Sequence, residues 1–265
     1  LILVTGGAGF IGSAYVRKAA ARGDDVLIID KMTYAASQEA IKTPLANGQA
    51  SLAKVDICDH AEVVSQITTF APDCIIHFAA ESHVDNSIVE SHDFIQTNIV
   101  GTYTLLNASL AYWTGLDQAR SASFRFHHVS TDEVYGDLPH PDIAPVSQKL
   151  SLFTETTPYK PRSPYSSSKA ASDHLVYAWH QTYGLPVTIS NCSNNYGPFQ
   201  HVEKLLPKAI TNALACKPVP IYGNGRNIRD WLYVEDHIEA IDLIIGKGKV
   251  GETYNIGASC EMNNI

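Results

Sequence analysis

The opening of the chain constrains its fold more than any other stretch. An apolar run, L-I-L-V at 1–4, ends on Thr5 and leads straight into G-G-A-G-F-I-G at 6–12. A helix is predicted over 10–21, and a second apolar run, V-L-I-I-D, fills 26–30. A strand without polar alternation is covered on both faces, which points to a parallel sheet with helices above and below it. Glycines at 6, 9 and 12 let the connecting turn run tightly and bring backbone close to a ligand.

The alternation continues. Strands are predicted at 51–55, 74–78, 124–130 and 186–191, and helices at 61–70, 94–111 and 164–183. Strands and helices in turn make βαβ units, so the expected class is α/β with a doubly wound parallel sheet. The length of 265 residues suits one large α/β domain, or one domain with a smaller lobe. Near residue 192 the elements shorten and Pro, Gly and Asn become frequent. The expected division is therefore a dinucleotide-binding domain at 1–191 carrying the catalytic residues, and a smaller substrate-binding lobe at 192–265. There is no internal repeat and no low-complexity segment.

The net charge of −8 argues against a nucleic-acid partner held by bulk electrostatics, but leaves room for a local basic pocket around a small phosphate ligand. Five cysteines, at 58, 74, 192, 216 and 260, are scattered and form no C-x-x-C. Reduced thiols in a cytoplasmic protein are expected, with no disulfide framework and no metal centre. No apolar run approaches the ~18–20 residues that span a bilayer, and the sequence does not open on a basic stretch followed by an apolar one. The first residue is not Met and E-M-N-N-I carries no stop signal, so the chain is expected to continue beyond Ile265.

Three constellations carry chemistry. The glycine turn, with a helix N-terminus behind it and Asp30 closing the second strand, forms a dinucleotide-phosphate cradle. Asp30 would accept hydrogen bonds from an adenosine ribose and repel a 2′-phosphate, favouring NAD over NADP, although Lys31 beside it weakens that preference. Of thirteen tyrosines only Tyr165 has a lysine four residues on, Lys169. Ser163 is a candidate N-cap and Pro164 a natural first helical residue, with Gly184 as the stop, so the pair shares one face of a helix. A tyrosine titrates near 10, and an ammonium beside it is expected to lower that value and make a base. Finally, Asp132 and Glu133 stand together after an apolar strand. Within a strand they would face opposite ways; if the strand ends before them, both can turn into the crevice outside the carboxyl end of the sheet, where ligands bind.

The glycine stagger and the Tyr-x-x-x-Lys resemble the extended short-chain dehydrogenase/reductase superfamily, which implies a Rossmann-type domain. T-G-G-A-G-F-I-G, H-F-A-A-E-S-H-V-D, H-H-V-S-T-D-E-V-Y-G-D, S-P-Y-S-S-S-K-A-A-S-D-H-L, N-C-S-N-N-Y-G-P and R-D-W-L-Y-V-E-D-H are similar to the dTDP-glucose 4,6-dehydratase family, over essentially the whole chain. The T-D-E triplet is the specific part, because 4-epimerases with the same Tyr/Lys pair lack the adjacent acids. The resemblance implies an NAD-dependent hydro-lyase. Tyr165 would deprotonate the glucose C4 hydroxyl, Glu133 would remove the C5 proton, Asp132 would protonate the departing C6 hydroxyl, and Thr131 would bond near the C4 oxygen. It implies NAD contacts from Gly6, Gly9, Phe10, Ile11, Gly12, Asp30, Lys31, Thr33, Asp56, Ile57, Phe78, Ala79, Ala80, Ser82, Thr97, Tyr165, Lys169 and Asn195. It implies nucleotide-sugar contacts from Ser82, Thr131, Asn194, Lys204, Leu205, Pro220, Tyr222, Arg229 and Asn264, and a homodimer. Two departures stand out: Asn86 where the family carries arginine, and a shorter segment after Tyr34. A nucleotide-sugar 4-epimerase, or a 4,6-dehydratase acting on another nucleotide-sugar, is the alternative.

Overall fold

The computed structural model describes residues 1–140, 142, 152–219 and 225–263. Seven parallel strands form the main sheet: β1 (Ile2–Thr5), β2 (Val26–Ile29), β3 (Ala50–Ala53), β4 (Cys74–His77), β5 (Arg125–Thr131), β6 (Val187–Cys192) and β9 (Thr253–Ile256), in the order β3-β2-β1-β4-β5-β6-β9. β7 (Asn194–Tyr196), β8 (Ile228–Tyr233) and β10 (Glu261–Asn263) make a three-stranded sheet in which β8 is central. The order reverses between β1 and β4, the switch point where a doubly wound sheet opens a crevice. The segment after residue 192 thus contributes the small sheet and, through β9, the last strand of the large one.

Alternate residues of each strand feed two separate cores, as the period of two requires. Val4, Ile28 and Ile76 point to one face, against the helices Phe10–Arg22 and Val234–Lys247. Leu3, Leu27, Ile29 and Ile75 point to the other, with Leu105, Leu106 and Val176. Every residue of β2, β4 and β6 is buried; β2 accordingly carries no polar residue, while Thr188 and Ser190 of β6 bond His127 and Asn191 bonds Tyr159.

Three local expectations change. The third strand is Ala50–Ala53 rather than 51–55. A helix, Gln38–Ala46, forms where none was predicted, with Pro44 inside it. Proline there cannot bond the carbonyl of Ala40, and Arg17 Nη1 donates to that oxygen at 3.4 Å instead. The helix expected at 94–111 is interrupted. Residues Ile95–Gly101 wind as a π-helix before the α-helix Thr102–Thr114 resumes. Gly101 there lies so close to Ile57 that a Cβ would stand 2.6 Å from its Cδ1. Such wide turns cluster at functional sites, and this one places Thr97 in the crevice.

Candidate active site

The crevice at the switch point is an open cleft of about 550 Å³. Its lining includes Gly6, Gly9, Ala79 and Ala80, the polar Asp30, Lys31, Thr33 and Thr97, and the apolar Ile57 and Phe78. β1 stops at Thr5 and Gly6 turns with φ +67°, with Ala79 so near that a Cβ would lie 2.6 Å from its nitrogen. A Cβ on Gly12 would stand 2.2 Å from the Gly6 carbonyl oxygen. Gly9 caps the Phe10–Arg22 helix without a side chain, so no protein group covers the first turn from its cap. A turn that admits only glycine, in front of a thirteen-residue helix, fits a pyrophosphate. Phe10, Ile11 and Gly12 lie in that first turn, behind the cleft wall.

Asp30 both faces the cleft and holds it together. Its carboxylate accepts from Ala8 N at 3.0 Å and Met32 N at 2.8 Å. Lys31 donates to Thr97 Oγ1 at 3.0 Å and pairs with Glu81 at 3.4 Å, so its charge is offset within the protein rather than offered to a 2′-phosphate. Asp56 accepts from Cys58 N at 2.9 Å and shapes the loop that carries Ile57. Asn195, expected to touch cofactor, has its side chain occupied: it donates to the Ser193 carbonyl at 2.9 Å and its oxygen meets His237 Nδ1 at 2.8 Å.

β5 ends at Thr131, and Asp132–Tyr135 wind as a single 3-10 turn. This resolves the two adjacent acids, which lie past the strand and escape its alternation. Thr131 caps the turn, its hydroxyl accepting from Glu133 N at 3.3 Å while lying 3.3 Å from Asp132 Oδ1. Tyr135 OH anchors the other end on Asn255 of β9, at 2.7 Å. Burial, and then the charge of Glu133, push the Asp132 carboxyl up to about 6. Glu133 is raised by burial too, but the cations Arg229 and Lys204 hold it back. One acid is biased to keep its proton, and the other faces positive charge, the asymmetry an acid/base pair needs.

The Pro164–Tyr183 helix starts and stops where predicted. Ser163 and Ser166 form a reciprocal capping box, Pro164 follows the cap, and Gly184 closes the helix at φ 75°. Tyr165 packs edge-on against Phe94, with ring centroids 6.4 Å apart. The expectation that Lys169 lowers the tyrosine pKa does not hold in this arrangement. Burial and the Glu133 charge push the phenol well above its usual value, although a hydrogen bond with Thr131 opposes them. The Lys169 amine is turned to β5, donating to the Val129 carbonyl at 2.8 Å.

On the substrate side, Lys204 caps the Leu205–Leu214 helix and donates to the Ser82 carbonyl at 3.2 Å. Arg229 is exposed on β8, and Asn194 lies in the adjacent β7. Pro220, Tyr222 and Asn264 lie outside the described residues. Asn86 donates to Tyr34 OH at 3.3 Å, drawing the short segment after β2 toward β4. Sequence reasoning passed over Glu81 and Asn98. Asn98 accepts from Glu81 N at 2.9 Å and donates to Glu81 O at 3.0 Å and to Ser168 at 2.8 Å, tying the π-helix to the Tyr165 helix. The only signal was a polar residue inside an apolar helical run.

A glycine cradle, an acid at the end of β2, and a tyrosine–lysine helix beside two acids define an NAD-type redox enzyme of the Rossmann class. A family profile described as GDP-mannose 4,6 dehydratase matches residues 3–265. The dTDP-glucose 4,6-dehydratase of Salmonella typhimurium is 55% identical over all of this chain and 73% of its own length. The DesIV dTDP-glucose 4,6-dehydratase of Streptomyces venezuelae, solved with NAD bound, is 40% identical and superposes with a TM-score of 0.89, covering 99% of this chain and 77% of that one. The UDP-glucose 4-epimerase of Thermotoga maritima is 29% identical with a TM-score of 0.84, covering 99% and 78%. The chain belongs to the dTDP-glucose 4,6-dehydratases.

Proposed function

We propose that the chain converts dTDP-glucose to dTDP-4-keto-6-deoxyglucose and water, with NAD retained through the cycle. The observation that carries the reading is the 3-10 turn after β5, which sets Asp132 and Glu133 beside Tyr165 on one side and opposite Arg229 and Lys204 on the other. NAD, when bound in the glycine cradle, supplies a hydride acceptor for C4, a hydride donor for C6, and a cationic ring that favours the phenolate.

Tyr165 takes the C4 hydroxyl proton, with Thr131 bonded near the same oxygen. The resulting 4-keto group acidifies the C5 proton, which Glu133 removes. Asp132, raised to about 6 by burial and by Glu133, takes up a proton more readily than a free carboxyl and gives it to the C6 hydroxyl as that group leaves as water. Elimination needs base and acid in one step, and the Arg229 and Lys204 charges favour the ionised form of Glu133, as a base requires. Lys204 and Arg229 bind the diphosphate, for which the guanidinium fork is suited. In this division 1–191 holds NAD and the catalytic groups and 192–265 holds the nucleotide-sugar.

The reading includes a homodimer and a cytoplasmic location. Tyr103, Tyr177 and Tyr183 stand about half exposed on two neighbouring helices, and Trp179 meets Tyr103 and Tyr183 edge-on, an apolar face suited to a second copy. Free cysteines, and no helix among the described residues long and apolar enough to cross a membrane, accord with the location.

The test is to supply dTDP-glucose labelled with deuterium at C4. The reading requires a keto-sugar product with the label at C6. A product that is only dTDP-galactose would make the chain a 4-epimerase, and turnover of another nucleotide-glucose in its place would change the substrate.

A further inference from the structure

One buried carboxylate takes no part in the reaction above. Asp173 follows Lys169 by one helical turn, as Lys169 follows Tyr165, so the three share a face. It is 2% exposed. Its Oδ2 accepts from Ser130 Oγ at 2.8 Å and Tyr159 OH at 3.0 Å, and its Oδ1 faces His128 Nε2 at 3.1 Å. Asn191 donates in turn to the Tyr159 hydroxyl at 3.1 Å. β5, β6 and the segment before the helix all contribute to holding this one acid.

A carboxylate out of water is costly unless it is both bonded and paired. The cation whose charge opposes that cost is Lys169, 4% exposed and beyond direct contact: its amine has the Val129 carbonyl at 2.8 Å and lies 3.5 Å from His128 Nε2, the nitrogen that Asp173 also faces. His128 Nε2 cannot donate to Asp173 and accept from Lys169 at once; a proton on Nε2, facing the carboxylate, satisfies the shorter contact. Burial drives Lys169 toward its neutral form, and Asp173 and Cys192 oppose it. His77 and His128, packed behind, are both held neutral by burial, and His174 faces Asp173 from its own helix.

We propose that Asp173 is a positioning residue of this site, the buried counter-charge that, with His128 between them, keeps the Lys169 amine charged one helical turn from Tyr165. Ser130, Tyr159 and His128 exist in this arrangement to hold that carboxylate. The inference rests on the reading of Lys169 as a working cation, and extends it one turn down the helix.

The test follows the Lys169 amine directly, by NMR of the full chain with 13C-labelled lysine, the resonance assigned with Lys169→Met. Asp173→Asn should lower the titration midpoint of Lys169 by about one pH unit or more. The alkaline limb of kcat for dTDP-glucose should move to lower pH by the same amount, with KM little changed. An unmoved midpoint in folded Asp173→Asn, or lost activity with an unmoved pH profile, overturns the proposal. If Asp173→Asn does not fold, Ser130→Ala with Tyr159→Phe removes both bonds to Oδ2 and should shift the midpoint in the same direction by less; no shift overturns it. A wild-type chain that shows the Lys169 titration but no turnover of dTDP-glucose would refute the dehydratase reading and leave the counter-ion intact.

Discussion

Asp132→Asn should stabilise the protein at neutral pH while disabling it. The Asp132 carboxyl moves from 3.8 to about 6, largely because it is buried beside Glu133. A rise of about two units is worth about 3 kcal/mol between the two protonation states. Because the folded value lies above the unfolded one, folding at pH 7.5 carries that penalty in full, and the penalty fades as pH falls from about 6 toward 4. An amide has the same shape, can still accept from Thr131, and carries no charge. By urea denaturation, Asp132→Asn should be more stable than wild type by about 2–3 kcal/mol at pH 7.5, and by only about 1 kcal/mol at pH 4.5. Turnover should fall about 10²- to 10⁴-fold, the usual contribution of a general acid. A stability difference that does not shrink with acidification, or a wild type that is the more stable at pH 7.5, would refute the argument that burial disfavours the Asp132 carboxylate.

Glu133→Gln should stop release of the C5 proton to solvent while bound NAD is still reduced on adding substrate, seen as absorbance without product; full dehydratase activity would reassign the base. Gly12→Ala should empty the cradle, because its Cβ would lie 2.2 Å from the Gly6 carbonyl oxygen; the purified protein should carry little NAD and melt earlier, and normal NAD content would contradict the fit. Gly136→Ala meets both a φ of +90° and a Cβ 2.4 Å from the Lys160 carbonyl. It should cost about 1–3 kcal/mol in thermal unfolding and lower kcat more than NAD binding, since Gly136 ends the turn that presents the acids.

Features of this chain that depend on near neighbours were legible without a structure. The Pro164–Tyr183 helix was readable to the residue because Ser163, Pro164 and Gly184 act within one turn of its ends. The strands β1, β2 and β4 were readable because burial on both faces leaves an apolar run. The Gln38–Ala46 helix was not, because the group that compensates Pro44 is Arg17, 23 residues from Ala40. The π-turn escaped as well: its last residue, Gly101, lies against Ile57, 44 positions away in sequence.

The sequence alone determined the glycine cradle, the Tyr165–Lys169 face and the presence of two acids where a strand ends, since each is set by residue type and short spacing. Tertiary structure alone decided how those groups are charged. Asp132 is raised by burial and by Glu133, Glu133 is restrained by Arg229 nearly a hundred positions away, and Tyr165 is pushed up rather than down. Lys169 meets β5 and lies in the field of Asp173, a carboxylate held by Ser130, 43 residues from it in sequence. Local sequence determines which groups are present, but desolvation and Coulomb energy depend on everything folded around them.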